Sequence, residues 1–323
     1  MNPKVAQELS DKFCLKWDVD SSTLSFLRGF ENQVYSFKKD GLNYILRVGH
    51  SNHMSHDLVQ AEMDWIAFLH NHGIPVPKPL VSLDGKLVEK FVVENDYFNV
   101  IALEKIPGNH LDFQQPRAWS EEIIYQWGKI IGKMHALSKE YITKNNRRYD
   151  FNPTATLVEE MIPNEPNDIK SKIIEIFQSL KSLPKTKDSY GLVHSDLHPG
   201  NFLIRNKAIT GILDFDRTCY KWFISEIAVA LYYPLYHSPL NADKNQQEDF
   251  LLNFIPKFWE GYKSENFLDS QWLSTLNTFV KVRDAILFLY FPRSQAQALD
   301  HIKSRLMNEE SYVNLQDFTS AFK

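Results

Sequence analysis

The stretch Val193–Ile204, VHSDLHPGNFLI, constrains this chain more than any other. An octet containing two histidines, an aspartate, a proline, a glycine and an asparagine sits between two apolar runs that read as buried strands. Pro199 and Gly200 prevent a regular helix across it. Thirteen residues after Asn201, Asp214 follows a second apolar run, Ile209–Leu213. A loop and the end of the following hairpin can therefore bring three oxygen-bearing side chains, Asp196, Asn201 and Asp214, to one place. A hard divalent cation such as Mg2+ takes such ligands, one or two carboxylate or amide oxygens with phosphates supplying the rest. A further aspartate near a substrate hydroxyl can take or orient its proton. Turns capped by Asx side chains are the plainer account of the same residues, and they do not require this joint spacing.

The segments around this centre differ in kind. TLSFLRGF, QVYSFKK and NYILRV read as three strands, with the polar turn Lys39-Asp40-Gly41 between the last two. Ser55 to about His72 has apolar residues at helical spacing and is stopped by Gly73 and Pro75. KLVEKFVVE and YFNVIALEK follow as two more strands, and residues near 3–14 read as a short amphipathic helix. After Pro107-Gly108 the pattern becomes helical, first over EEIIYQWGKIIGKMHALS and then around 168–182, 223–236, 246–263, 270–291 and 295–308. The exception is 191–216, where NFLIR and ITGILDF flank the turn Asn206-Lys207. The expected class is α+β: a sheet-rich front part over 1–104, a hinge at about 104–109, and a helical rear part over 105–323.

Charge and composition narrow the function. Lys and Arg total 36 against 40 Asp and Glu, a net charge of −4, so no basic excess marks a nucleic-acid binder. No uninterrupted apolar run of ~18 residues indicates a membrane span. Cys14 and Cys219 are far apart and need not pair, and Met1-Asn2-Pro3-Lys4 begins no signal-peptide pattern, so a cytoplasmic protein is expected. His50, His53, His56, His70 and His72 show no metal-site spacing and read as exposed residues around a helix entry.

HSDLHPGN matches the kinase catalytic-loop form H-x-D-L-x-x-x-N, and LDFD stands where a kinase carries D-F-G. The wording HxDLHPGNxLI…GILDFD resembles the aminoglycoside phosphotransferase and choline kinase families more than protein kinases. The resemblance implies a two-lobed protein-kinase-like fold, with an antiparallel N-lobe sheet, one main N-lobe helix and a mostly helical C-lobe. It implies ATP and Mg2+ as cofactors, with Asp196 as catalytic base, Asn201 and Asp214 on the metal, and His194 supporting the loop. Arg47 stands at the strand position of the kinase Lys that pairs phosphate, with Glu62 as its helix partner. Gly29–Tyr35, including Asn32, becomes the hairpin over the phosphates, and Glu104 to Ile106 the hinge against which adenine packs. Asp216 replaces the motif glycine and adds charge near the metal. Glu226 stands where relatives carry an Asp that anchors the catalytic loop.

The expected activity is transfer of the γ-phosphate to a hydroxyl of a small molecule. A protein Ser/Thr kinase of similar fold is one alternative; it needs an activation segment and A-P-E, but only eleven residues separate Asp214 from Glu226 and no A-P-E occurs. A catalytically silent nucleotide-binding regulator is the other, disfavoured because base and metal ligands are all present. Tyr220, Trp222, Phe223, Tyr232, Tyr233 and Tyr236 read mostly as core, with one or two expected at the acceptor pocket. An aromatic face there favours an amino alcohol or aminoglycoside-like acceptor, with Glu159, Glu160 and Glu165 as possible acidic partners. The sequence leaves the oligomeric state open.

Overall fold

The computed structural model describes residues 10–29, 31–112, 118–143, 147–236, 243–308 and 312–322. Residues 10–15 are helical (α1); the remainder of the helix expected near 3–14 lies outside the described residues. The sheet that follows comprises β1 (Ser25–Gly29), β2 (Asn32–Lys39), β3 (Leu42–His50), β4 (Pro79–Leu80), β5 (Glu89–Val93) and β6 (Asp96–Glu104). Its order is β1-β2-β3-β6-β4, with β5 also on β6, and every pairing is antiparallel. Asp40 and Gly41, at φ 52° and 77°, join directly paired Lys39 and Leu42. A two-residue turn in this left-handed region matches the strand twist, which fixes the register of β2 on β3. The two-residue β4 was too short to stand out from the sequence.

Alternation along the strands divides two faces. Leu46 and Val48 in β3 and Phe98, Val100 and Ala102 in β6 form one buried cluster with Phe13, Trp17 and Phe37. Arg47 lies between Leu46 and Val48 in sequence and so faces the other side, towards α2 (His56–Asn71). The hydroxyl of Ser55 accepts from Leu58 N at 3.4 Å to cap this helix. Its buried side carries Val59, Glu62, Met63, Ile66 and Leu69 at helical spacing, so Glu62 is enclosed with the core residues.

The rear part is built on α3 (Glu121–Glu140), α4 (Ala155–Met161), α5 (Asn167–Ser179), α6 (Phe223–Tyr236), α7 (Lys244–Lys263), α8 (Leu276–Tyr290) and α9 (Ala296–Met307). α3 and α7 approach so closely that a Cβ at Gly128 would overlap the Phe258 carbonyl, which glycine alone avoids. The expected helix over 270–291 is a 3-10 turn, Ser270–Thr275, followed by α8. Two ribbons lie under the sheet. β8 (Tyr190–Val193) pairs with β11 (Cys219–Trp222), and β9 (Phe202–Arg205) pairs with both β10 (Ala208–Ile212) and β7 (Asn109–His110). The polar octet is the β8–β9 connection, and Asp214 begins the β10–β11 connection. The architecture is α+β, an antiparallel-sheet lobe on a helical lobe.

Candidate active site

Hydrogen bonds shape the octet from behind. Asp196 N donates to His194 Nδ1 at 3.3 Å, and His194 Nε2 donates to the Leu213 carbonyl at 2.9 Å. The imidazole thus braces the loop against the end of β10, with Phe215 packed on it at 4.5 Å. Ser195 has a φ of 69°, a left-handed conformation that costs a non-glycine residue about 1–2 kcal/mol. Its N–H donates to Glu226 at 2.8 Å, and the other Glu226 oxygen accepts from His135 Nε2 at 2.9 Å. Tyr262 donates to His135 Nδ1 at 2.9 Å and accepts from Asn266 at 2.7 Å. All four supporting side chains are buried, and burial foremost lowers the His135 pKa, keeping the ring neutral as these bonds require.

Asn201 Nδ2 donates to the Asp196 carbonyl at 2.9 Å, leaving the amide oxygen as the end available to a cation. Leu213 N donates to the Asn201 carbonyl at 2.8 Å, tying the two connections together. Asp214 sits at φ 65° with 40% of its side chain open to solvent. Desolvation, and then the neighbouring Asp216 charge, push its carboxyl up; a divalent cation would relieve both. Hard oxygens from a carboxylate and an amide suit Mg2+ or Ca2+, so the donor set fits a metal.

Asp196 has a partner absent from the sequence reading. Arg283, on α8, donates through Nη2 to Asp196 Oδ1 and to the Tyr233 hydroxyl. Tyr233 stacks on His198 at 4.2 Å, and His198 Nε2 lies 3.9 Å from Asp196 Oδ2. Burial would raise the Asp196 carboxyl, but Arg283, His198 and His194 outweigh it and hold the group below its ordinary value. The carboxylate is therefore ionised and oriented through one oxygen. Of the aromatic cluster, Trp222, Phe223 and Tyr232 are core, whereas Tyr233 reaches the Asp196 side. Glu159 pairs with Lys170, and Glu165 with Lys303.

Above the loop, Arg47 forms a bidentate pair with Glu62, two bonds of 2.8 Å, and Nη1 also donates to Asp216 at 2.6 Å. Asp216 accepts from Asn32 at 2.6 Å and from His53 at 3.2 Å as well. Burial would raise this carboxyl; Arg47 and the His53 and Asn32 hydrogen bonds hold it well below the ordinary carboxylate range. Asp216 is thus turned onto the sheet lobe, where it ties hairpin, strand and helix entry to the lower loop. His53 is correspondingly part-buried and paired, not the exposed histidine expected from the sequence. Arg148, 1% exposed, completes this brace. It donates to the carbonyls of Thr218 at 2.7 Å and Leu58 at 3.0 Å and to that of Asp216.

Sheet and lower loops enclose a cleft of about 630 Å³. Gly29, Asn32, Arg47, Glu62, Glu104, Ile106 and Asp214 all contribute to its wall, together with apolar Ile45, Leu103 and Leu213. Asp196 and Asn201 stand outside that wall. Arg283 and Arg148 escaped the sequence reading. Arg148, in NNRRYD, has no local signature, but Arg283-Asp284 is a charged pair inside the apolar helix VKVRDAILFLY, a signal of buried polar function.

A nucleotide-sized cleft with an ionised carboxylate beside it suits phosphoryl transfer, where catalysis is positioning and charge stabilisation. The chain belongs to the phosphotransferase enzyme family, whose model matches residues 23–262. It is 34% identical over 277 residues to amicoumacin kinase of Bacillus subtilis (strain 168), covering 84% of this chain and 81% of that protein. The solved structure of an amicoumacin kinase in complex with AMP-PNP, Ca2+ and Ami superposes with a TM-score of 0.85 at 28% identity, covering 98% of this chain and 100% of that one. A microcompartment-associated aminopropanol kinase shares the fold, with a TM-score of 0.71 at 18% identity, covering 99% and 98% of the two chains. The chain is a kinase that transfers phosphoryl from ATP to a small-molecule hydroxyl.

Arg47→Ala is expected to raise the ATP KM about tenfold or more, and to lower stability by about 3–5 kcal/mol, because Glu62 stays buried without its cation. Arg47→Lys should keep part of the activity: a point charge remains but the fork to Glu62 and Asp216 is lost. ATP kinetics and thermal melts of both variants check this; indifference to both removes Arg47 from the nucleotide site.

Proposed function

We propose that Asp196 accepts the proton of the acceptor hydroxyl as its oxygen attacks the γ-phosphorus of ATP. The acceptor O–P bond forms, the bond from the γ-phosphorus to the bridging oxygen breaks, and ADP leaves with that oxygen. Asp196 Oδ1 is held by Arg283, which leaves Oδ2 to the hydroxyl. Asn201 and Asp214 would hold Mg2+, which neutralises charge on the phosphates when bound. The β1–β2 hairpin, with Gly29 and Asn32, covers the phosphates, Arg47 held by Glu62 pairs with them, and adenine packs between Glu104 and Ile106 and the apolar wall. Dependence on ATP fits a cytoplasmic site of action.

The observation that carries this reading is the pairing of loop geometry with the cleft: Asp196 and Asn201 are joined on one loop while Asp214 opens into the nucleotide-sized space. For the acceptor we propose a hydroxyl of a small amine-bearing compound, in keeping with a relative named amicoumacin kinase and a fold neighbour named aminopropanol kinase. Tyr233 and His198 give the acceptor side an aromatic edge. The test is ADP release across amicoumacin, 1-amino-2-propanol and choline, with and without Mg2+. Release that needs both Mg2+ and an amine-bearing alcohol is the expected result. Phosphorylation confined to a protein substrate, or no response to any acceptor, ends the proposal.

A further inference from the structure

Arg148 is a buried guanidinium whose hydrogen-bond partners are all neutral. It donates to the carbonyls of Thr218, Asp216 and Leu58 and, at 3.1 Å, to the Met54 sulfur. Among the described residues no carboxylate pairs with it. The main chain that carries it is fixed to the rear lobe. Tyr220 N donates to the Tyr149 carbonyl and Phe151 N to the Tyr220 carbonyl, both at 2.9 Å, and the Tyr190 hydroxyl donates to Asp150 at 2.8 Å. From that base the fork reaches two elements at once. Asp216 lies in the 3-10 turn Phe215–Arg217 that directly follows Asp214, and Thr218 closes that turn. Met54 and Leu58 bracket the start of α2, and Glu62 lies one helical turn beyond Leu58. Burying a charge without a counter-ion is costly unless hydrogen bonds offset it, so packing alone gives no reason for an arginine here. What a planar guanidinium adds is a rigid spread of donors that lysine cannot reproduce. That spread sets the distance between α2 and the turn. Arg47 depends on the same distance, because its Nη1 reaches Glu62 on α2 and Asp216 in the turn together.

We propose that Arg148 is a positioning residue for phosphoryl transfer: it clamps the Phe215–Arg217 turn to the start of α2, keeping Asp214 aimed at the cation and Arg47 at the phosphates. The proposal rests on the phosphotransferase reading above and deepens it. Arg148 is not part of the cleft wall; it acts through the two backbone segments it joins. Because one rigid group holds both, whatever steadies the turn steadies the start of α2 as well.

Amide hydrogen exchange of the whole chain tests the clamp without altering it. Adding Mg2+ to protein already saturated with AMP-PNP should slow exchange about tenfold at 214–218 and also at 56–62, the start of α2. Protection confined to 214–218 overturns the proposal. Arg148→Lys keeps the charge but cannot hold both segments, so in this variant the protection at 56–62 should be lost. The Mg2+ concentration for half-maximal activity should rise about 10–100-fold, the usual effect of losing a group that orients a metal ligand, while AMP-PNP affinity without metal stays within about twofold. That half-maximal concentration does not depend on how much of the protein is folded. A variant with lower Tm and lower total activity but the wild-type Mg2+ dependence therefore marks Arg148 as merely structural and overturns the proposal. If Arg148→Lys does not fold, the exchange pattern of the wild type decides alone. Exchange that Mg2+ alters nowhere, together with no transfer to any hydroxyl, would instead bring down the function on which the clamp rests.

Discussion

Asp196→Asn is expected to lower kcat about 10³-fold while nucleotide affinity stays within about twofold of the wild type. A positioned general base contributes about 10²–10⁴, and asparagine keeps the shape of the side chain but cannot take the proton. The residue lies outside the wall of the nucleotide cleft, which is why binding should survive. The variant must be shown to be folded, since Arg283 loses the anion that faces it. Asparagine still offers one oxygen to Arg283 Nη2, so the destabilisation should fall below the about 3–5 kcal/mol of a fully broken buried pair. Single-turnover transfer to the true acceptor, beside calorimetric titration with nucleotide, measures both quantities. Retention of most of the turnover removes Asp196 from the role of base.

The polar octet was legible as a loop that gathers Asp196 and Asn201 because its information is local. Asp196, Asn201 and their backbone bonds lie within eight residues, and the flanking β9–β10 hairpin announces itself through alternation and the turn at Asn206-Lys207, both at positive φ. The front strands and α2 were equally readable for the same reason. What stayed hidden depends on contacts between distant segments. Arg283 meets Asp196 across 87 residues, and Arg47 meets Asp216 across 169; nothing in either local pattern states the pairing. β8 and β11 are four residues each and pair with one another; β8 showed itself only as the apolar run before the octet, and β11, which also bridges Asp150 through Tyr220, did not show itself as a strand. His53 was misjudged because spacing tests for metal sites say nothing about a histidine that hydrogen-bonds a single carboxylate. The Arg47–Glu62 contact was anticipated from the resemblance, but Asp216 as their third member was not. Its charge was expected near the metal, and the structure turns it onto Arg47, Asn32 and His53.

That rotation of Asp216 concentrates the metal question on Asp214, and glycine is the most informative replacement there. Asp214 occupies the left-handed region at φ 65°, so its Cβ costs about 1 kcal/mol that glycine does not incur. Asp214→Gly is therefore expected to melt at the wild-type temperature or about 1–2 °C above it, while Mg2+-dependent ATP binding falls about 100-fold. Asp214→Ala should lose the same affinity without the gain in stability. Asn201→Ala should lose less affinity, about tenfold, since an amide oxygen carries no full charge. It should also lower Tm, because Asn201 Nδ2 holds the Asp196 carbonyl at 2.9 Å. The three variants separate ligation from loop support: glycine removes a ligand and keeps the fold, whereas alanine at 201 removes a ligand and a loop bond together. Calorimetric titration of ATP with and without Mg2+ distinguishes them, and Mg·ATP affinity in Asp214→Gly equal to the wild type would place the cation elsewhere in the cleft.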